Sequence, residues 1–107
     1  MKNELSAFFD RVRPAIDDTL AGGHTLACAD VDGDGRMEVV TGSFREANDL
    51  RVYRWVDLAT NRWERRFLDL DMGPGQSAIL DLDGDGRPDI VASGLRTNNL
   101  KWYRNIG

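Results

Sequence analysis

The sequence predicts an all-β fold built from two copies of one structural unit. Three observations lead to this prediction. A segment of the first half, residues 30–40, returns almost unchanged as residues 81–91. Short runs of apolar and β-branched residues alternate with turns rich in Gly, Asp and Asn, as in chains of short strands. These runs carry apolar residues on both of their faces, as strands do when a sheet is covered on both sides.

The repeat extends well beyond this segment. Upstream, Gly22 and Leu26-Ala27 correspond to Gly73 and Ser77-Ala78 at the same offset of 51. Downstream, residues 48–54 correspond to 98–104 at an offset of 50, which indicates a one-residue deletion in the loop between. Agreement at three separate places defines a repeating unit of about fifty residues. The chain contains about two such units.

Each unit divides into short strands. The first unit is predicted to form strands over residues 25–29, 37–44, 50–56 and 62–70, and the second over 76–80, 88–93 and 100–104. Four strands in a repeating unit of about 40–50 residues are typical of a β-propeller blade. The predicted fold is therefore a partial, unclosed β-propeller of two four-stranded antiparallel blades, the second without its fourth strand.

Three segments follow from this division. Residues 1–21 form an N-terminal segment, 22–72 the first blade and 73–107 the second blade. Within the first segment, 11–18 is predicted to be the outer strand of a preceding blade, because Ile16-Asp17 corresponds to Leu68-Asp69. A short helix over 3–10 is an alternative for its beginning. Two blades cannot close a ring, so we expect the chain to be a piece of a longer protein, or a protomer that self-assembles, with further blades as partners.

Composition excludes several functional classes. The 107 residues include 18 acidic and 14 basic side chains, for a net charge of −4, which argues against a nucleic-acid-binding protein. No apolar run is long enough to span a membrane, and the first ten residues lack the apolar core of a signal peptide. A single cysteine, Cys28, and a single histidine, His24, exclude a disulfide framework and the common zinc motifs. We expect Cys28 to be a small buried residue of an inner strand.

The repeated segment carries a metal-loop pattern, Asp-x-Asp-Gly-Asp-Gly-x-x-Asp/Glu. Glycines at positions 4 and 6 permit positive φ angles, so that carboxylates at positions 1, 3 and 5 converge. Position 7 offers a backbone carbonyl and position 9 another carboxylate. The predicted ligands of the first loop are Asp30, Asp32, Asp34, Arg36 and Glu38, and those of the second are Asp81, Asp83, Asp85, Arg87 and Asp89. Several hard oxygen ligands favour Ca2+, and we predict two calcium sites.

An EF-hand begins with the same letters but does not fit this chain. It requires Glu at position 12 and a helix on each side. Position 12 is Thr41 in the first loop and Ala92 in the second, and strand-forming residues follow position 9 directly. The loop is therefore predicted to join two strands, which makes its metal structural. Eight of the 18 acids lie in the two loops, so two calcium ions would cancel the net charge of −4.

The loop, followed by Asn-Leu-Lys-Trp-Tyr-Arg-Asn at 99–105, resembles the FG-GAP/VCBS repeat family over residues 22–107. The resemblance implies calcium-binding propeller blades in secreted or cell-surface proteins, acting as a scaffold or as a protein- or glycan-binding module. It also implies the ligand set given above. The chain departs from the family at Glu38, where Asp is usual, and the longer side chain is expected to weaken the first site or to bind through water.

An enzymatic role is the alternative. His24 precedes the first strand of its blade, near one mouth of a propeller channel, and is the best catalytic candidate, although a structural role is more common for a lone histidine. The Gly-Gly-His entry to the strand is also similar to repeats in propellers of sugar dehydratase/isomerase enzymes. This alternative makes the chain part of a carbohydrate-active enzyme with His24 near its site. No complete catalytic constellation is present in the sequence.

Overall fold

The computed structural model describes residues 15–45 and 47–107, and it confirms the all-β prediction. These residues form seven strands and no helix. The first sheet contains β1 (Leu26–Ala29), β2 (Glu38–Ser43), β3 (Asp49–Asp57) and β4 (Arg62–Asp69); the second contains β5 (Pro74–Leu80), β6 (Asp89–Gly94) and β7 (Leu100–Tyr103). Each strand pairs antiparallel with the next, in the orders β1-β2-β3-β4 and β5-β6-β7. We call these sheets the first and second blades, and neither closes on itself.

The predicted strands lie where the structure has them, with small differences at their ends. The largest difference is in β5, which begins at Pro74 and not at Gln76. Pro74 pairs with Gly94 across an irregularity in the ladder, a position that a proline tolerates because it is the first residue of the strand. In the N-terminal segment, residues 15–21 contain no strand. The other residues of that segment, including the alternative helix over 3–10, lie outside the described part of the chain.

The apolar core lies between the two blades. Its fully buried members are Val40, Leu50, Met72, Ile90 and Ala92, and Ala27, Val52, Ile79 and Tyr103 pack against it. The first blade therefore contributes one face of its sheet, and the second blade contributes the opposite face of its own. Each buried aliphatic side chain contributes about 1.5–3 kcal/mol relative to exposure, so this contact is the main force that holds the blades together.

A carboxylate at the end of β4 also joins the blades. Asp69 accepts hydrogen bonds from Tyr103 Oη at 2.5 Å and from Lys101 Nζ at 3.0 Å, both on β7. Burial acts to raise the pKa of Asp69, but the hydrogen bonds from Tyr103, the Asp71 amide and Lys101 outweigh it, and the pKa lies below its ordinary value. The Asp69 carboxylate is thus stabilised in its charged form by the neighbouring blade.

The first blade has an equivalent contact. Asp17 accepts hydrogen bonds from Tyr53 Oη at 2.6 Å and from Arg51 at 3.2 Å, on the corresponding strand β3. Asp17 and Asp69 therefore occupy equivalent positions, one before each blade. The contact is a feature of the repeat and not of one place in the chain.

The prediction that Cys28 is buried is wrong. Cys28 is exposed, and its neighbour on the same face of β1, Leu26, is 71% exposed. The reason is that β1 packs against the second blade through its other face, which carries Ala27. No described residue of this chain covers the face of β1 that carries Cys28.

Replacing Asp69 tests the contact between the blades. We expect Asp69→Ala to lower the free energy of unfolding at pH 7 by about 1–3 kcal/mol, because it leaves the Tyr103 hydroxyl and the Lys101 ammonium without their shared acceptor. Chemical denaturation measures this change. The loss should shrink as the pH falls below 3.8, the ordinary value for Asp, because a depressed folded-state pKa stabilises only the ionised form.

Asp71→Ala is the matched control, since the Asp71 side chain is 80% exposed and lies 3.5 Å from the same lysine. Equal losses for the two variants would contradict the assigned role of Asp69.

Candidate metal centres

The two Asp/Gly loops have the same backbone conformation. In the first loop, Gly33 and Gly35 have φ angles of 76° and 85°. In the second loop, Gly84 and Gly86 have φ angles of 76° and 86°. Residues with a side chain rarely adopt these angles, so glycine at both places is what allows the loop to reverse direction within a few residues. Each loop joins the first two strands of its blade.

The first aspartate of each loop organises the turn. Asp30 accepts three backbone hydrogen bonds, from the amides of Gly33 at 2.9 Å, Asp34 at 3.1 Å and Gly35 at 2.8 Å. Asp81 accepts the equivalent three at 2.9, 3.1 and 2.8 Å. The amides point inward and partly offset the negative charge of the loop. The loop is therefore held in its conformation by its own backbone.

The loops bring most of the predicted carboxylate ligands together. In the first, Asp30, Asp32, Asp34 and Glu38 each place one oxygen within 4.8 Å of the others. In the second, Asp81, Asp83 and Asp89 do so. The second group does not include Asp85, whose carboxylate accepts the Arg87 amide at 2.9 Å and lies 3.8 Å from the Arg87 guanidinium. The two loops thus differ in the number of carboxylates they gather.

The acids at position 9 are the first residues of β2 and β6, and both are buried. Glu38 is 2% exposed and Asp89 is 0% exposed. Glu38 Oε1 accepts the Val31 amide at 2.7 Å and the Asp32 amide at 3.2 Å. Asp89 uses both oxygens, accepting the Leu82 amide at 3.1 Å and the Asn105 amide at 2.7 Å. Glu38 is one methylene longer than Asp89, and its carboxylate still lies within the group of the first loop.

Glu38 also carries an oxygen that lacks a partner. Its Oε2 atom is buried and makes no hydrogen bond within the described structure. Burial raises the pKa of Glu38, and the charges of Asp32 and Asp34 raise it further against the hydrogen bonds from the two amides. A buried carboxylate oxygen without a donor is unfavourable unless a cation accompanies it. The residues of the first loop therefore fit a bound divalent cation.

An arginine flanks the third-position acid in both loops. Arg54 Nη1 lies 3.1 Å from Asp32 Oδ2, and Arg104 Nε lies 2.8 Å from Asp83 Oδ2. Burial acts to raise the pKa of each acid, but hydrogen bonds to the flanking arginine and to a backbone amide of the loop lower both values. The loop pattern does not include these arginines, although their offset of 50 places them in the repeat.

The other predicted site residues have contacts of their own. Arg36 and Arg87 lie two residues after the acids at position 5, and their amides donate to Asp34 at 2.8 Å and to Asp85 at 2.9 Å. The Arg36 guanidinium lies 4.6 Å from the centre of the Trp55 ring, a cation–π contact. The role predicted for the two arginine carbonyls as metal ligands stays a prediction.

His24 lies where the two blades meet. Its Nδ1 atom lies 2.8 Å from the carbonyl oxygen of Gly75, its repeat equivalent, and its ring contacts Phe44 edge-on. Because a carbonyl oxygen only accepts, Nδ1 must carry the proton in this contact. Next to it, Thr25 Oγ1 lies 2.7 Å from Ser77 Oγ. These contacts join the two blades at His24, and its predicted place near a catalytic site stays a prediction.

The comparisons with known proteins agree with the geometry of the loops. Residues 30–92, from the first aspartate of the first loop to β6, match the model of the FG-GAP-like repeat. The chain belongs to this family. Neither the curated proteins nor the solved structures gave a match. The resemblance given by the sequence is thus confirmed, and the chain is a propeller-type FG-GAP-like repeat module.

Replacing Glu38 by glutamine tests the unpartnered oxygen. We expect Glu38→Gln to raise the free energy of unfolding by about 1 kcal/mol in a chelating buffer, because Oε1 still accepts from Val31 and the new amide replaces a buried charged oxygen. Urea denaturation in EDTA measures it.

Glu64→Gln is the control for this measurement, because Glu64 is paired with Arg54 and Arg66 on the surface of the same blade. A Glu38→Gln variant less stable than the wild type in EDTA would contradict this account of the loop.

Proposed function

We propose that this FG-GAP-like module is a calcium-stabilised structural scaffold, with one Ca2+ in each Asp/Gly loop. The observation that carries the proposal is the buried, unpartnered Oε2 of Glu38 within a group of four carboxylates. All the side-chain ligands are hard oxygens, which favours calcium over zinc or copper. The ion would be held by Asp30, Asp32, Asp34 and Glu38 in the first loop, and by Asp81, Asp83 and Asp89 in the second.

The position of each loop defines what its ion would do. The loops join β1 to β2 and β5 to β6, and their position-9 acids pair with the last residues of the preceding strands, as Ala29 with Glu38 and Leu80 with Asp89. An ion bound across the loop therefore ties together the two strands of a hairpin. Its contribution is to stability, because it removes the repulsion among carboxylates that folding brings together.

We further propose that the module acts outside the cytoplasm. Both loops are largely exposed, and extracellular calcium modules typically bind with dissociation constants of about 10⁻⁴ to 10⁻³ M. Affinities in this range suit the calcium concentrations that surround secreted and cell-surface proteins, which is the setting typical of FG-GAP repeats. No helix in the described residues has the length and apolar character to cross a membrane.

The outer face of the second blade supports a proposal about partners. In the first blade, Val40, Leu50 and Val52 face the second blade and belong to the core or pack on it. Their repeat equivalents in the second blade are Val91, Leu100 and Trp102, of which Leu100 is 74% and Trp102 47% exposed. We propose that a further blade of the same kind, in the same protein or in a second copy, covers this face. In the first blade, this face packs against Ile90 and Ala92 of the second blade, so the proposed further blade would contribute the residues equivalent to these two.

Calcium should shift the thermal unfolding of the chain. If the dissociation constant is about 10⁻⁴ M, then free calcium at about 10⁻² M adds about 2.7 kcal/mol for each site, which raises Tm by about 10 °C or more for a domain of this size. Melting followed by circular dichroism, in EDTA and in calcium, measures this shift. Asp32→Ala and Asp83→Ala should each remove part of the shift, whereas Asp71→Ala should leave it unaltered. An identical Tm with and without calcium would reject the proposed function.

Self-association tests the proposal for the open face. We expect the chain to associate with increasing concentration in sedimentation experiments, because the face around Leu100 and Trp102 is apolar. Trp102→Lys should reduce association and keep the calcium-dependent shift in Tm. Leu58→Lys is a matched control, since Leu58 is also exposed, at 53%, but lies in the turn between β3 and β4 of the first blade. A wild-type chain that stays a monomer at all concentrations would contradict the proposal.

A further inference from the structure

Asn105 bonds to both metal loops at once. It lies two residues after the end of β7, and its side-chain amide donates to the carbonyl of Val31 at 2.6 Å and to the carbonyl of Pro88 at 3.0 Å. Val31 belongs to the first loop, and Pro88 closes the second. Both hydrogens of the amide are therefore used, one in each blade. Asn105 lies within the second blade, so its bond to Val31 crosses from one blade to the other.

The bonds continue from Asn105 to the position-9 acid of each loop. The Asn105 backbone amide donates to Asp89 Oδ1 at 2.7 Å. On the other side, the Val31 amide donates to Glu38 Oε1 at 2.7 Å. Hydrogen bonds thus connect the two buried acids, from Glu38 to the backbone of Val31, from Val31 to Asn105, and from Asn105 to Asp89.

We propose that Asn105 couples the two calcium sites, so that an ion in either loop raises the affinity of the other loop. This inference rests on the proposed calcium-binding function. An ion in the first loop fixes Glu38 and the loop residues, including the Val31 carbonyl that accepts from Asn105. Asn105 in turn fixes one oxygen of Asp89. The second loop therefore loses less conformational entropy when its own ion binds. By linkage, the effect is the same in the opposite direction.

The first blade has no equivalent bridge among the residues that the structure describes. At the repeat offset of 50, the residue that corresponds to Asn105 is Trp55, which has no side-chain amide and instead stacks against Arg36 of its own blade's loop. The contact between loops is therefore specific to Asn105 and is not a general consequence of the repeat.

The coupling can be measured by calorimetric titration of the full chain with Ca2+. Glu38→Gln disables the first site but keeps the acceptor for the Val31 amide, and it gives the affinity of the second site alone. Asp83→Ala gives the affinity of the first site alone. We expect the overall two-ion binding constant of the wild type to exceed the product of these two affinities by about fivefold or more.

The same three measurements are then made in an Asn105→Ala background, where the overall constant should equal the product. Asn105→Asp is a second variant, which keeps the size of the side chain but loses both donors. Asn99→Ala is the matched control, because its amide donates to the Asp71 carbonyl at the other end of β7, away from both loops. The control should keep the full coupling.

The outcomes separate this inference from the proposed function. If the wild type binds no calcium, the proposed function fails. If two ions bind and the overall constant equals the product of the single-site affinities, calcium binding stands and the coupling is wrong. If the coupling persists in both Asn105 variants, another path carries it and the role of Asn105 is overturned.

Discussion

The structure depends on gathering like charges at the turn of a hairpin. Four carboxylates in the first loop and three in the second come within 4.8 Å of one another. Such groups repel each other strongly in a partly buried place. The loops compensate with backbone amides, because each first aspartate accepts three of them and glycines with positive φ turn them inward. This compensation is incomplete at Glu38, whose Oε2 atom has no donor, and the proposed cation would supply the missing positive charge.

The same loops determine how each blade begins. Glu38 and Asp89 are ligand candidates and also the first residues of β2 and β6. A loop with another conformation would shift the register of the hairpin, which reverses the faces of its side chains. The core between the blades, formed by Val40 from one sheet and Ile90 from the other, needs both registers to be correct. The proposed metal binding, the register of the hairpins and the contact between the blades are therefore linked through these two residues.

Much of the fold and of the candidate metal sites could be predicted from the sequence, because the same pattern occurs twice in it. The strands, the loops and most of the clustered carboxylates follow from local patterns of two to nine residues. What could not be predicted depends on contacts across the chain. The bond of His24 to Gly75 and the bridge made by Asn105 join residues that are distant in sequence. The exposure of Cys28 depends on which face of β1 packs against the second blade. Arg54 and Arg104 are an intermediate case, since the repeat pointed to them but only the structure shows that they pair with Asp32 and Asp83.

The central claim is that the two loops are specific calcium sites, and the stoichiometry of binding tests it most directly. Equilibrium dialysis of the chain against calcium at millimolar concentration, with magnesium present as a competitor, counts the ions bound to each chain. The account predicts two calcium ions for the wild type and one for Glu38→Gln. A wild-type chain that retains no calcium, or a Glu38→Gln variant that retains as much as the wild type, would contradict it.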